Sequence, residues 1–178
     1  IDVFAGGADG IATLSGNVEL DSSASTLSSF SVTGGTTVIA SNLTIDTEAG
    51  GDGPAGSIDL SQSTLIAASG SLSLLTLNLD TSTIAGGGTD NGGNVSLGNV
   101  SSVGSGGGSA ALNELTIDLF GNGGSDGVLT LNGTIELDSN AGDLAGFTVS
   151  NATISLLGNT TILTEVGGDG NGGDVTSV

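Results

Sequence analysis

Two pairs of carboxylates have the spacing that most directly suggests catalysis by paired carboxylates. Glu19 precedes Asp21 by two residues, and Glu136 precedes Asp138 by two. In an extended strand, the members of each pair point to the same side. Two carboxylates can hydrolyse a glycosidic bond, one as acid and the other as base or nucleophile. Both pairs alternate with apolar residues, however, so we predict that they form a solvated strand face and are not catalytic.

Aspartates in two glycine-rich loops are the candidate metal ligands. Asp52 lies in GGDGPAG (50–56) and Asp169 in GGDGNGGD (167–174). Calcium prefers several carboxylate and carbonyl oxygens, which such loops can supply. The calcium-binding nonapeptide repeat carries aspartate at its sixth position, where these loops have Ala55 and Gly172. Asp52 and Asp169 are therefore weak metal candidates, against the ordinary role of aspartate in turns. Apart from weakly bound Ca²⁺ we expect no cofactor.

The composition excludes several kinds of function. The 178 residues include 19 carboxylates but no lysine, arginine, histidine, cysteine, tryptophan or tyrosine, which gives a formal net charge of −19. Without basic side chains the chain cannot neutralise phosphate groups, so we expect no nucleic-acid partner. No apolar run is long enough to span a membrane, so we expect no membrane insertion. Because strong general bases and polarising groups are missing, we predict that the protein is not an enzyme.

A long internal repeat organises the chain. Residues 9–23, DGIATLSGNVELDSS, return at 126–140 as DGVLTLNGTIELDSN, and residues 47–58, TEAGGDGPAGSI, return at 164–175 as TEVGGDGNGGDV. Both displacements are 117 residues, and such a period indicates stacked structural units. We predict one continuous segment over residues 1–178, about one and a half copies of the repeat, within a longer chain or a filament. We also expect the repeated loop to return to the same corner after a whole number of coils.

A finer pattern predicts the core. Glycine-rich loops close on apolar-x-apolar triplets near Ile11, Ile58, Val95 and Val128, and a Leu-x-x-apolar-x-apolar pattern follows each one. Alternation of this kind places one side of a strand in the interior. The predicted core residues are Val18, Leu20, Leu27, Phe30, Val32, Ile58, Leu60, Leu74, Leu77, Leu79, Val95, Leu97, Leu112, Leu115, Ile117, Ile135, Leu137, Leu144, Phe147 and Val149.

The fold class is indicated by short runs in which apolar and polar residues alternate. Glycine, asparagine and aspartate separate these runs, and the chain has 34 glycines in all. These runs are typical of strands and turns, so we predict an all-β fold with no significant helix. Aromatic residues make up only 2% of the chain, too few to fill a sandwich core, whereas a solenoid needs only a narrow aliphatic core. We therefore predict a right-handed parallel β-helix (β-solenoid) with Gly/Asn/Asp-rich turns, forming an elongated rod. With coils of about nineteen residues it would have about nine rungs and a length of roughly 40 Å.

The sequence pattern of the repeats resembles that of a known protein family. The segments LSGNVEL, LNGTIEL, DLSQSTLIA and NLDTSTIAGGG, with loops such as GGTDNGGNVSL and GGDGNGGDV, are similar to the repeats of filamentous-haemagglutinin-type bacterial surface adhesins. The resemblance spans the whole chain. It implies a long right-handed β-helical shaft at the cell surface, as one segment of a far larger exported polypeptide.

Three functions remain as hypotheses. The first is a structural and adhesive extracellular rod, the repeat region of a large secreted or surface-attached adhesin or fibre that supports attachment, aggregation or biofilm. The second is a self-assembling extracellular filament subunit that stacks coil to coil, since solenoid ends expose unpaired strand edges. A distant third is a carbohydrate-active β-helix enzyme. The expected partners are other copies of the chain, end to end or laterally, and cell-surface or matrix polysaccharide. The expected location is extracellular, at the cell surface.

Overall fold

The computed structural model describes residues 1–4, 9–22, 26–50, 53–68, 75–83, 89–101, 112–138, 145–166 and 171–178. Within these ranges the chain forms strands and turns without a helix, so the described part contains no apolar helix that could cross a membrane. The strands are β1 (Ile11–Leu14), β2 (Val18–Glu19), β3 (Phe30–Ser31), β4 (Thr36–Ile39), β5 (Leu43–Asp46), β6 (Ile58–Leu60), β7 (Thr64–Ala67), β8 (Leu75–Asp80), β9 (Val95–Leu97), β10 (Val100–Ser101), β11 (Leu112–Asp118), β12 (Gly127–Leu131), β13 (Thr134–Glu136), β14 (Gly146–Ser150), β15 (Ala152–Leu156), β16 (Thr161–Leu163) and β17 (Val175–Ser177).

The strands belong to three parallel sheets, and successive strands along the chain are assigned to the three sheets in strict rotation. Sheet A has the order β1-β4-β7-β10-β13-β16, sheet B the order β2-β5-β8-β11-β14-β17, and sheet C the order β3-β6-β9-β12-β15. Every strand therefore pairs with the strands three places before and after it, and all these pairings are parallel. We call three consecutive strands, one from each sheet, a tier. Three sheets stacked in this order are consistent with a β-helix or solenoid-like fold.

The tiers are longer and fewer than the sequence predicted. Residues paired between neighbouring tiers are separated by 25 positions at Ile11 and Thr36 and by 38 at Leu77 and Leu115. A coil of about nineteen residues is therefore wrong, because each tier contains three strands and three corners. Two of the sheets have six strands. At about 4.8 Å per strand, their first and last strands are only about 24 Å apart.

The 117-residue repeat does not return to the same corner. The first copy of the repeated segments contains β1 to β6, and the second contains β12 to β17, which is a displacement of eleven strands. Eleven is not a multiple of three, so each repeated segment lies on a different sheet from its first copy. β1 is in sheet A, for example, whereas its repeat β12 is in sheet C. The expectation of a whole number of coils is therefore wrong.

One apolar core lies between the three sheets. A single cluster of buried side chains includes Ile39 from sheet A, Ile45 from sheet B and Leu60 from sheet C. In strands such as β8, alternate residues point into it: Leu75, Leu77 and Leu79 are buried. Of the predicted core residues, Val18 and Leu20 are partly buried against this cluster, and fifteen others are buried: Phe30, Val32, Ile58, Leu60, Leu77, Leu79, Val95, Leu97, Leu112, Leu115, Ile117, Ile135, Leu137, Phe147 and Val149.

The core prediction for Leu27 is wrong, since this side chain is 58% exposed. Leu27 precedes β3 in sheet C, whereas the leucine pattern of the later copies belongs to strands of sheet B. It lines a surface groove with Pro54 and Ala55 of the next tier. The predicted core residues Leu74 and Leu144 lie outside the described residues.

Threonines and glycines close the corners in a repeated way. The Thr47 hydroxyl donates to the carbonyl of Gly56 at 2.9 Å, and the Thr81 hydroxyl donates to that of Gly93 at 2.8 Å. The 117-residue repeat reproduces the first bond between Thr164 and Gly173, at 3.0 Å. Among the described residues no buried side-chain polar atom lacks a hydrogen-bond partner. The repeat therefore keeps this hydrogen bond, although the second copy joins a different pair of sheets.

Candidate functional site

The two weak metal candidates, Asp52 and Asp169, lie outside the described residues. Glu48, which precedes Asp52 in the sequence, is only 3% exposed. Its carboxylate accepts hydrogen bonds from the backbone N–H of Ser22 at 3.0 Å and of Gly53 at 3.2 Å. Glu48 thus joins its own loop to the preceding tier. No group of three or more His, Cys, Asp or Glu side chains within the described ranges has the arrangement of a metal site.

The two carboxylate pairs lie on different sheets. Glu19 belongs to β2 in sheet B, and both Glu19 and Asp21 are exposed. Glu136 belongs to β13 in sheet A, where it is half-buried and accepts a hydrogen bond from the Ser101 hydroxyl at 3.2 Å. The repeat therefore does not assemble the two pairs into one site.

The register of sheet B stacks four carboxylates that the sequence did not associate. Glu19 pairs with Asp46, Asp46 with Asp80, and Asp80 with Asp118. We call Glu19, Asp46, Asp80 and Asp118 the acidic ladder. Its neighbours are about 4.8 Å apart along the sheet. The spacings of these residues in the sequence are irregular because the intervening loops differ in length, so they could not be aligned before the register was known.

The three aspartates of the acidic ladder have a structural role. Asp46, Asp80 and Asp118 each accept a hydrogen bond from the backbone N–H two residues later, at 2.8, 2.8 and 3.2 Å. This Asx turn ends the strand and starts the corner toward sheet C. An aspartate therefore makes the same Asx turn in each of three successive tiers.

The electrostatic cost of the acidic ladder is evident at Asp46. Burial raises the pKa of Asp46 above its ordinary value, and the neighbouring carboxylates Asp80, Glu19 and Glu48 raise it further. The hydrogen bond from the Glu48 backbone N–H opposes this rise in pKa. The ionised form of Asp46 is thus less favourable in the folded chain than in the unfolded chain.

Asparagines form a second set of contacts between tiers that sequence reasoning missed. The side-chain carbonyl of Asn17 accepts the backbone N–H of Thr44 at 2.9 Å, and that of Asn42 accepts the N–H of Thr76 at 3.0 Å. Asn94 and Asn99 likewise accept a backbone N–H from the next tier, that of Val128 in sheet C at 2.8 Å and that of Thr134 in sheet A at 3.0 Å. These bonds continue the strand ladders into the corners. The sequence carried a signal for three of these four asparagines, because the tripeptide Gly-Asn-Val occurs at 16–18, 93–95 and 98–100.

A polar groove lies on the outer side of sheet B, next to these asparagines. Its volume is about 330 Å³, and it is lined by Asn17, Asn42, Leu43, Thr44, Thr76 and Asn78. Amides and hydroxyls of this kind can exchange hydrogen bonds with the hydroxyl groups of a polysaccharide. The described residues that line the groove carry no ionisable side chain, and the hydroxyl of Thr76 donates to the carboxylate of Glu114 at 3.3 Å.

The last tier exposes side chains that earlier tiers bury. Leu131 is 1% exposed, whereas Leu156, its register partner in β15, is 59% exposed. Phe147 is 2% exposed, whereas its partner Val175 in β17 is 58% exposed. Both exposed side chains belong to the last strands of the described chain, β15 and β17.

Comparison of the chain with protein-family models, with curated proteins and with solved structures found no match.

Proposed function

We propose that this chain is a structural and adhesive shaft: a segment of a closed, right-handed β-helix in a large secreted or surface-attached adhesin or fibre. The shaft carries binding regions away from the cell and supports attachment and aggregation. The observation that carries the proposal is the strict rotation of strands through three parallel sheets around one shared core.

The shared core is the argument for closure. Open sheets would leave apolar faces exposed, but alternate residues of all three sheets contribute to one buried cluster. Each added tier brings its own apolar residues, so such a fold can be extended without limit. Length without a change of cross-section is what a surface shaft requires.

The charge distribution fits a shaft better than an enzyme. All 19 ionisable side chains are acidic, so neighbouring shafts repel each other at low ionic strength and remain apart. The absence of lysine and arginine from the sequence also denies trypsin-like proteases a cleavage site. The polar groove of sheet B adds amides and hydroxyls suited to a matrix polysaccharide.

The test combines location and covalent mass. Antibodies raised against the 178-residue chain should label intact, unpermeabilised cells of the source organism. The antigen, fully denatured and measured by mass spectrometry, should have a covalent mass far above 16.8 kDa. Labelling that appears only after permeabilisation would overturn the proposal.

One further candidate is a filament subunit that stacks coil to coil, because the parallel pairing that joins neighbouring tiers can join neighbouring chains in the same way. A covalent mass near 16.8 kDa from surface material that is fibrous before denaturation would select this candidate over the adhesin shaft.

A further inference from the structure

The sequence contains four Asn-Gly steps, which begin at Asn91, Asn122, Asn132 and Asn171. An asparagine followed by glycine can deamidate without an enzyme, because glycine has no side chain to hinder attack of its backbone nitrogen on the neighbouring carboxamide. The peptide between the two residues must first rotate until that nitrogen reaches the Cγ atom of the asparagine. Hydrogen bonds that hold this peptide therefore protect an Asn-Gly step, since they must open before it can react.

The Asn91–Gly92 step is held at three points. The carbonyl of Asn91 accepts the backbone N–H of Ala55 at 3.1 Å, and the N–H of Gly92 donates to the carbonyl of Ser125 at 3.0 Å. The side-chain carbonyl of Asn91 accepts the backbone N–H of Ser125 at 2.9 Å. Both the attacking nitrogen and the carboxamide are thus engaged, although Asn91 itself is exposed.

Two further steps are also restrained. Asn122 is half-buried, and its carbonyl accepts the backbone N–H of Asp90 at 3.1 Å, which fixes the Asn122–Gly123 peptide from one side. Asn171 has an interaction partner as well.

The Asn132–Gly133 step lies in the corner between β12 and β13 and is not held in this way. Asn132 is exposed. Its N–H donates to the carbonyl of Leu97 at 2.9 Å, and the carbonyl of Gly133 accepts the N–H of Thr161 at 3.4 Å. Among the described residues, however, neither the Asn132 carbonyl, the Gly133 N–H nor the Asn132 side chain makes a hydrogen bond. The corner is anchored on both sides while the reactive peptide between the anchors is unrestrained.

The 117-residue repeat shows that this corner does not need asparagine. The segment Leu131-Asn132-Gly133 repeats Leu14-Ser15-Gly16, and Ser15 is exposed between β1 and β2. The same local sequence thus carries a residue without a carboxamide in the first copy. Serine at position 132 is therefore a substitution that the fold should accept.

We propose that Asn132–Gly133 is a site of spontaneous deamidation. The backbone nitrogen of Gly133 loses its proton to solvent and attacks Cγ of Asn132. The bond from Cγ to the amide nitrogen breaks, and ammonia leaves. Water then opens the resulting succinimide at one of its two carbonyls, which gives aspartate or isoaspartate. The net reaction consumes one water, releases one ammonia and adds a carboxylate to a chain whose formal charge is −19.

The isoaspartyl product changes the corner itself. Its main chain runs through the former side chain and so contains one additional carbon between the two anchors, the bond to Leu97 and the bond from Thr161. Both bonds join neighbouring tiers. We therefore expect the isoaspartyl chain, separated by ion exchange, to melt at a lower temperature than Asn132→Asp, which carries the same charge on a normal backbone. Equal melting temperatures would show that the corner absorbs the extra atom.

The main test follows deamidation of the folded 178-residue chain during incubation at mildly alkaline pH. Proteolysis and fragmentation mass spectrometry locate each product, which is about 1 Da heavier than the parent. Asn132 should react first, at least about tenfold faster than Asn91, because three hydrogen bonds must open at Asn91. Asn122 should lie between them. Earlier reaction at Asn91, Asn122 or Asn171 would overturn the proposal.

A denatured control separates structure from sequence. In concentrated urea the rates at Asn91, Asn122 and Asn132 should become similar, since glycine follows each asparagine. If Asn132 keeps the same lead in urea, local sequence and not the unrestrained peptide sets the order, and the inference is wrong.

Asn132→Ser is the matched variant, because it places the residue of the first copy in the second. It should fold with an unchanged melting temperature and lose the early isoaspartate, measured by methyl transfer from labelled S-adenosylmethionine with an isoaspartyl methyltransferase. Persistence of the early isoaspartate signal in Asn132→Ser would place the reaction elsewhere and overturn the proposal.

Discussion

A carboxylate in this chain can support a turn and still cost stability. Asp46 accepts the Glu48 backbone N–H and so begins a corner. It also lies between Glu19 and Asp80 in the acidic ladder, and no cationic side chain exists in the sequence to balance them. Neutral asparagine can make the same Asx turn without the charge.

We therefore expect Asp46→Asn to raise the melting temperature at pH 7. The pKa of Asp46 is raised in the folded state, so its ionisation disfavours folding at pH values above that raised pKa. The penalty shrinks as the pH falls and disappears below the pKa of the unfolded chain, about 3.9 for aspartate. Thermal unfolding followed by circular dichroism should show a gain at pH 7 and almost none near pH 3.

The control is Asp59→Asn. Asp59 makes the same turn, accepting the backbone N–H of Ser61 at 3.0 Å, but its register partners are Ser31 and Ser96. Its substitution should leave the melting temperature nearly unchanged at both pH values. A gain at Asp59 as large as that at Asp46 would show that the ladder charges are not the cause.

Phe147 tests the assignment of inward and outward positions. Its side chain is 2% exposed and stacks between Leu115 and Val175. Phe147→Asp should reduce the free energy of unfolding by at least about 3 kcal/mol, since it buries an unpaired charge and leaves a cavity. Glu19→Gln, on an exposed position, should change it by less than about 0.5 kcal/mol. Similar denaturant midpoints for both variants would contradict the assignment.

At the scale of elements, a glycine column sets how closely the tiers approach. Gly56, Gly93 and Gly127 occupy the same position in three successive tiers, two residues before the first register pairs of β6, β9 and β12. A Cβ atom on Gly93 would collide with the carbonyl oxygen of Gly56, and one on Gly127 would collide with that of Gly93. The colliding atoms are backbone, so they cannot move aside alone.

Gly93→Ala should therefore destabilise the fold by about 2 kcal/mol or more. Gly16→Ala is the matched control, because a Cβ on Gly16 meets no atom within 4 Å, and it should change stability by less than about 0.5 kcal/mol. Hydrogen exchange should locate the Gly93→Ala effect in β6, β9 and β12. A uniform loss of protection in all three sheets would instead indicate that the corner is not a local unit.

Elements were easier to predict from the sequence than their arrangement. Period-two alternation predicted a helix-free chain and the buried residues of β11 and β14, because burial of alternate residues depends only on local spacing. In β8 it predicted Leu77 and Leu79 but missed the buried Leu75. Tier length could not be predicted in this way, since loops of different length separate residues that pair. The acidic ladder and the asparagine bonds depend on that pairing, so they emerged only with the register.

At the scale of the whole molecule, the displacement of the repeat by eleven strands rotates its surface. Glu19 and its repeat Glu136 lie on sheets B and A, so each copy presents its outward side chains in a new direction. In a longer array of such repeats, equivalent side chains would fall on each of the three sheets in turn. A partner could then be contacted from several directions without any change in the fold.

The net charge of −19 sets the response of the whole molecule to salt. Raising NaCl from low ionic strength to about 0.5 M should increase the melting temperature at pH 7, because the Debye length then falls well below the molecular dimensions. Near pH 2.5 the same addition should have little effect, since most carboxylates are protonated there. An equal increase at both pH values would mean that salt acts through apolar burial and that repulsion among the carboxylates is not what limits stability.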